Sequence, residues 1–173
     1  RLKSFQFNKI TLCTGYMAEM IMMFCEDRKK FGLDISFSRE ESPLGTVGPL
    51  GTIENLTDPF IVMNGDLLTT LNLDKMLSFH QKQNADLTLG VYQRDVKIDF
   101  GVVESNQNDE FTGFKEKPVY HFEVSMGINI LSKSVMKYVK PGVYLDMPDL
   151  IMKVHENGGR VCCYREDCFW LDI

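Results

Sequence analysis

The sequence predicts an α/β protein in which a mostly parallel sheet carries helices on both faces, with a small antiparallel addition on one side. Three observations carry this expectation. Strand-like and helix-like periodicities alternate through the first half of the chain. The run Phe60-Ile61-Val62-Met63 is apolar at every position, as a central parallel strand covered on both faces should be, and it stops at Asn64-Gly65-Asp66. From Ala85 onward the pattern changes to strands joined by short turns.

In chain order, residues 9–15 (Lys9-Ile10-Thr11-Leu12-Cys13-Thr14-Gly15) read as a strand ending at glycine. Residues 17–24 have apolar side chains at helical spacing, and their methionine stripe is expected to face the core. Residues 33–38 alternate with period two, the mark of a strand half open to solvent. Thr46 is a candidate cap for a segment running to Asn55, although Gly48, Pro49 and Gly51 make a weak helix start. After the Phe60 strand, residues 73–83 form an amphipathic helix. Residues 86–92, 101–104 and 111–114 are candidate strands, the last two joined by the polar turn Ser105-Asn106-Gln107-Asn108-Asp109. Residues 134–138 and 149–156 are helical, the second stopped by Gly158-Gly159, and residues 160–164 form a strand before Trp170.

The 173 residues suit one domain or one large piece of a domain. Hydrophobic residues at 44% and charged residues at 25% are an ordinary globular balance. A net charge of -5 and a pI near 5.2 argue against a nucleic-acid partner, which needs a basic face. No run approaches the ~18 apolar residues of a membrane span. Cys13, Cys25, Cys162, Cys163 and Cys168 form no Cys-x-x-Cys, and His80, His121 and His155 are not spaced as metal ligands. The cysteines are therefore expected to be small buried hydrophobes in a reducing cytoplasm. The chain opens Arg1-Leu2-Lys3-Ser4-Phe5 without an initiator methionine and stops just after Asp172, so it reads as a fragment.

Candidate chemistry concentrates at strand ends, where α/β sheets bind ligands. Asp66 ends the Phe60 strand, with Gly65 beside it to let the backbone turn or approach a ligand. Asp172 closes the run Phe169-Trp170-Leu171, and two such carboxylates could meet around one metal ion. Ser42-Pro43-Leu44-Gly45-Thr46-Val47-Gly48 is a glycine-bearing loop between strand and helix. In Lys115-Glu116-Lys117-Pro118, the proline is expected to hold Lys117 extended, with lysine and glutamate on opposite sides of a strand. Neither Gly-x-Gly-x-x-Gly nor the Gly-x4-Gly-Lys-Ser/Thr loop occurs, which removes support from dinucleotide and common ATPase readings.

The order of these pieces resembles the sugar-1-phosphate nucleotidyltransferases. The matching pieces are Leu44-Gly45-Thr46, Val62-Met63-Asn64-Gly65-Asp66, Phe100-Gly101-Val102-Val103, Lys115-Glu116-Lys117-Pro118, Met126-Gly127-Ile128-Asn129 and Trp170-Leu171-Asp172. Tyr144-Leu145-Asp146-Met147-Pro148-Asp149-Leu150 further resembles a guanylyltransferase-like subgroup often coupled to CBS-type regulatory domains in one chain. The resemblance implies a Rossmann-like, GT-A-type sheet and a nucleotidyltransferase catalytic domain over residues 1–173. It implies transfer of a nucleotidyl group, with GTP favoured, from a nucleoside triphosphate to a hexose-1-phosphate, releasing pyrophosphate. Asp66 and Asp172 would hold Mg²⁺, a cation that takes one or two carboxylates plus substrate phosphates. Lys117 would meet the sugar phosphate and Glu116 a sugar hydroxyl. Gly101, Gly127 and Asn129 would line the sugar pocket, while Leu44, Gly45, Thr46 and Gly65 would lie against the nucleotide. A homo-oligomer and CBS domains in the parent chain are further expectations.

The family's opening loop, roughly Gly-Gly-x-Gly-Thr-Arg, does not occur in this chain, so the fragment alone is expected to be inactive. Ser125-Met126 stands where many members have Asn-Ala, and Asn129 where tyrosine is common. A glycosyltransferase with a similar sheet would carry Asp-x-Asp, which Asp66-Leu67-Leu68 is not. The non-enzymatic alternative is an inactive homologue that binds a nucleotide sugar and regulates a partner; the presence of both Asp66 and Asp172 weighs against it.

Overall fold

The structure is a computed structural model that describes residues 1–25 and 32–173. Its centre is a four-stranded sheet in the order β3 (Phe60–Met63), β8 (Val119–Leu131), β5 (Leu87–Lys97), β9 (Val161–Arg165). Here β8 runs antiparallel to both β3 and β5, and β9 parallel to β5, so three of the four strands share one direction. A separate parallel pair joins β1 (Lys9–Thr14) to β2 (Asp34–Arg39). Two antiparallel additions complete the sheets: β4 (Leu67–Thr69) with β10 (Trp170–Asp172), and the hairpin of β6 (Val102–Ser105) and β7 (Phe111–Lys115).

Each face of the central sheet has its own core. Phe60, Leu87 and Leu131 face Val47, Leu50, Leu145 and α3 (Met147–Glu156). On the other face Met126, Ile128 and Ile130 meet Leu73 and Met76 of α2 (Leu73–Gln83), with Trp170 against the cluster. Full burial of an aliphatic side chain contributes about 1.5–3 kcal/mol, and Leu87, Ile128, Ile130 and Leu131 are all fully buried. These two adjacent strands therefore carry much of the apolar stabilisation. Asn72 caps α2 by accepting from the Lys75 amide, and Asn84 ends it in the left-handed conformation.

Several expectations are corrected. The Phe60 strand is an end strand of its sheet and pairs antiparallel, because the long β8 lies beside it. The methionine stripe of α1 (Ala18–Cys25) faces outward: Met20 is 62% and Met23 71% exposed, while Ala18 and Cys25 supply the buried side. The segment after Thr46 forms only the 3-10 turn Gly48–Thr52, as its glycines and proline foreshadow. Residues 133–138 are likewise a 3-10 turn rather than an α-helix. Of the five cysteines, all unpaired, only Cys25 is buried; Cys13 and Cys163 are exposed.

His80 is a core histidine with both ring nitrogens engaged. The Ser132 hydroxyl donates to the Ala85 carbonyl at 2.8 Å, so it accepts from Nε2–H of His80 at 3.0 Å. That leaves Nδ1 to accept from the Thr88 hydroxyl at 2.8 Å. Burial pushes the His80 pKa down, against the opposing pull of Asp58 and Asp86.

Candidate active site

Asp66 and Asp172, distant in sequence, are brought onto adjoining backbone segments. After β3 the chain turns through Asn64-Gly65-Asp66 into β4, and β10 returns antiparallel to it with Asp172 opposite Leu67. The Ile173 amide donates to the Asp66 carbonyl at 3.1 Å, closing the ladder at the two aspartates. Both are exposed. The strand that carries Asp172 is tied to the central sheet by Trp170, whose indole N–H donates to the Met126 carbonyl at 2.9 Å and whose ring lies 5.4 Å from that of Tyr92. Thr69 and Thr70 bond the Phe169 backbone on the other side.

The turn carrying Gly65 and Asp66 is seated by Gly127. The Asn64 amide donates to the Gly127 carbonyl at 3.0 Å. At Gly127 φ is +69°, and a Cβ there would lie 2.8 Å from Nδ2 of Asn64. Glycine is therefore required both by the left-handed backbone and by the packed amide. Gly65 itself has open space around it. Asn129, two residues on, is 3% exposed between Val62 and Leu89, on the face of β8 it shares with Leu131. Its Oδ1 has no partner among the described residues.

A cleft of about 1030 Å³ opens where β1 and β2 end. Gly15 and Tyr16 line one wall, Arg39 and Glu40 another, and the loop through Pro43 and Gly45 the third. Glu40 accepts from the Leu44 amide through Oε2 at 2.7 Å. Across the loop, Thr46 is held through its N–H and its hydroxyl by Oδ1 of Asp146, at 2.9 and 3.3 Å. The hydrogen bond from Tyr144, followed by that from the Thr46 amide, pulls the Asp146 pKa below the ordinary carboxylate range, and the same pairing raises that of Tyr144.

Glu116 and Lys117 lie elsewhere, in the exposed bend between β7 and β8. Lys117 is not extended: its φ is +43°, because the chain must reverse between the hairpin and β8 within three residues. Ten residues of chain, most of them in β8, separate Lys117 from Gly127, and no hydrogen bond or ion pair joins the bend to Asp66 or Asp172 among the described residues. Lys115 is bound to Glu104 at 2.6 Å. Gly101 is also on this arm, where a Cβ would meet the tip of the exposed Phe114 ring at 2.2 Å.

The structure thus brings the backbones of Asp66, Gly65, Gly127 and Asp172 together at one sheet edge, and of the Leu44-Gly45-Thr46 loop it places Gly45 in the cleft wall. Sequence reasoning missed Glu40, Asn64 and Asp146 as supports of these two places. Asp146 stands in the run Tyr144–Leu150, and nothing in the sequence shows that its side chain turns toward a loop a hundred residues earlier.

A family model described as "Nucleotidyl transferase" matches residues 1–173. The chain belongs to the nucleotidyl transferase family. It is 26% identical over 173 residues to the mannose-1-phosphate guanylyltransferase catalytic subunit beta of Dictyostelium discoideum, covering 96% of this chain and 48% of that protein. It is 33% identical over 138 residues to a mannose-1-phosphate guanyltransferase of Yarrowia lipolytica, covering 75% and 38%. With a UTP–glucose-1-phosphate uridylyltransferase of Synechocystis it shares 27% over 192 residues, 99% of this chain and 50% of that one. The chain spans about half the length of the curated relatives it matches. Among solved structures, HddC from Yersinia pseudotuberculosis complexed with GMP-PN superposes with a TM-score of 0.73 at 20% identity, over 99% of this chain and 75% of that one. A putative glucose-1-phosphate thymidylyltransferase from Bacillus anthracis gives 0.70 at 20%, over 99% and 73%. The nucleotidyltransferase α/β fold is therefore the fold of this chain.

Proposed function

We propose that the full-length protein is a sugar-1-phosphate nucleotidyltransferase that moves a guanylyl group from GTP to a hexose-1-phosphate, releasing pyrophosphate. The observation that supports this reading is the backbone ladder that brings the Asp66 and Asp172 segments together within a chain of the nucleotidyl transferase family. The reaction brings two anions together: a phosphate oxygen of the sugar-1-phosphate forms a bond to the α-phosphorus as the bond to the β-phosphate oxygen breaks. No covalent enzyme nucleophile is needed, and alignment with charge compensation supplies the acceleration.

The donor set fits a divalent cation with substrate ligands. Asp66 and Asp172 are two exposed aspartates on adjoining backbone segments, and no group of three or more His, Cys, Asp or Glu occurs among the described residues. Such a pair suits Mg²⁺, which fills its remaining positions with phosphate oxygens and water. When bound, Mg²⁺ supplies positive charge to the phosphates at the point of transfer. Gly127 and Asn64 fix the backbone that presents Asp66, while Trp170 fixes the strand that presents Asp172. Leu44, Gly45 and Thr46 form the loop against which the nucleotide lies. Glu40 turns a carboxylate toward the same cleft, an acceptor suited to the N1–H and N2–H₂ donors that distinguish guanine. The guanylyltransferase names of several relatives point the same way. Lys117 and Glu116 are assigned to the sugar phosphate and a sugar hydroxyl by their motif, as is Asn129 to the sugar pocket. No helix among the described residues is long and apolar enough to cross a membrane; with five unpaired cysteines, a cytoplasmic enzyme is the reading we favour.

The test is Mg²⁺-dependent pyrophosphate release by the full-length protein, offered each nucleoside triphosphate with a panel of hexose-1-phosphates. Release with GTP and one sugar is expected. Asp66→Asn should lower kcat at least about 100-fold without moving the thermal midpoint, because the residue is exposed. Silence with every pair would refute the transferase reading, and near-normal turnover by Asp66→Asn would refute the metal role.

A further inference from the structure

Asp146 occupies the N-cap position of α3, yet its side chain makes no capping hydrogen bond. An aspartate there ordinarily accepts from the amides of the first helical turn. Instead Oδ1 accepts from the Thr46 amide at 2.9 Å and from the Thr46 hydroxyl at 3.3 Å, and Oδ2 accepts from the Tyr144 hydroxyl. The Thr46 hydroxyl in turn accepts from the Met147 amide at 2.8 Å, so the threonine takes one of the helix's first amides and the aspartate is released toward the loop. The backbone repeats the contact. Leu145 N–H donates to the Leu44 carbonyl at 2.9 Å, and the amides of Val47 and Gly48 donate to the Leu145 carbonyl at 3.0 and 3.1 Å. Gly45 makes the approach possible: φ is +77°, and a Cβ would lie 2.7 Å from both Oδ1 of Asp146 and the Leu145 carbonyl oxygen. Glu40 holds the Leu44 amide from the other side, and Gly45 is itself a wall of the cleft.

We propose that Asp146, oriented by Tyr144, is a positioning residue for the nucleotide: its carboxylate latches the Leu44-Gly45-Thr46 loop in the shape that receives the triphosphate substrate. This rests on the reading that the loop meets the nucleotide, and it adds a residue outside the loop that sets its affinity. The physical case is one of pre-organisation. A loop containing a left-handed glycine has many alternative shapes, and each must be excluded when the ligand binds. A charge-assisted acceptor aimed at the Thr46 amide excludes them beforehand. The latch touches neither Asp66 nor Asp172, so its loss should weaken nucleotide binding and leave the metal site and the sugar site as they were.

The experiment compares full-length wild type with Asp146→Ala, Asp146→Asn and Tyr144→Phe. KM for GTP, KM for the sugar phosphate, kcat, thermal midpoint and hydrogen exchange at the Thr46 and Val47 amides are measured for each. Asp146→Ala should raise KM for GTP about tenfold, leave kcat and KM for the sugar phosphate close to wild type, and speed exchange at Thr46. Asp146→Asn keeps an acceptor oxygen for the Thr46 amide and should restore most of the affinity; Tyr144→Phe should fall between the two. An unchanged KM for GTP in Asp146→Ala would overturn the proposal. So would a joint rise in both KM values with a lowered thermal midpoint, which is the signature of general fold support. Should wild type release no pyrophosphate with any substrate, the transferase reading falls separately. The latch is then judged by Thr46 exchange and direct GTP titration of the same variants, and unchanged values in both would overturn it.

Discussion

At the scale of single residues, the two glycines that matter are those where a side chain would displace a polar partner. Gly127 combines φ of +69° with an Asn64 amide 2.8 Å from where a Cβ would stand. Gly127→Ala is therefore expected to destabilise the fold by about 2 kcal/mol, from the left-handed backbone and the displaced amide together. Urea denaturation measures it, and a loss near zero would show that the turn carrying Asp66 relaxes freely. His80 gives a pH signature. Its folded pKa is lowered by burial, so between the folded value and the unfolded value of about 6.5 the unfolded chain binds more protons. Stability from this group is complete above the unfolded pKa and is lost as pH falls toward the folded one. Urea midpoints should decline below about pH 6.5, and His80→Gln should flatten that part of the profile.

At the scale of elements, the position of Asp172 depends on a three-residue strand that could not hold itself. β10 is kept in place by its ladder to β4, by the threonines of that strand and its turn, and by the Trp170 indole on the Met126 carbonyl. Trp170→Phe keeps an aromatic body against Tyr92 but removes the donor, leaving a carbonyl of a buried residue without its partner. The expected cost is about 1–2 kcal/mol, and on the proposed metal role of Asp172 the affinity for Mg²⁺ should fall as well. Thermal denaturation and a metal titration check the two parts separately. Unaltered metal binding would show that the β4 ladder alone suffices.

At the scale of the whole molecule, the apolar cores are shared unequally. Both buried clusters are built on the four-stranded sheet, its helices and the segments packed on them. Among the described residues β1 and β2 pair only with each other, and α1 beside them exposes most of its apolar side chains. Regions with few buried contacts open at lower free energy than the core. Amide exchange should therefore be faster in β1, α1, β2 and the β6–β7 hairpin than in β5 and β8. Equal protection across these sheets would show that the molecule opens as one unit. The same distribution explains which expectations held. Residues 73–83 were legible because an amphipathic helix with an asparagine cap carries its own periodicity. The methionine stripe of α1 misled because periodicity identifies an apolar face without saying what covers it.

The sequence by itself determined the family, the α/β fold and the two strand-end aspartates, since these reside in local runs: apolar stretches, turn residues and short motifs in a recognisable order. It also marked Leu44-Gly45-Thr46 as a candidate ligand loop. Only the tertiary structure decided that β8 lies between β3 and β5, that Asn129 is buried, that Glu116 and Lys117 stand on an outlying bend, and that Asp146 holds Thr46 rather than capping α3. Each depends on a partner brought from far along the chain. Hydrophobic periodicity records which face of an element is buried, but the hydrogen-bond partner across that face is fixed only when the chain closes.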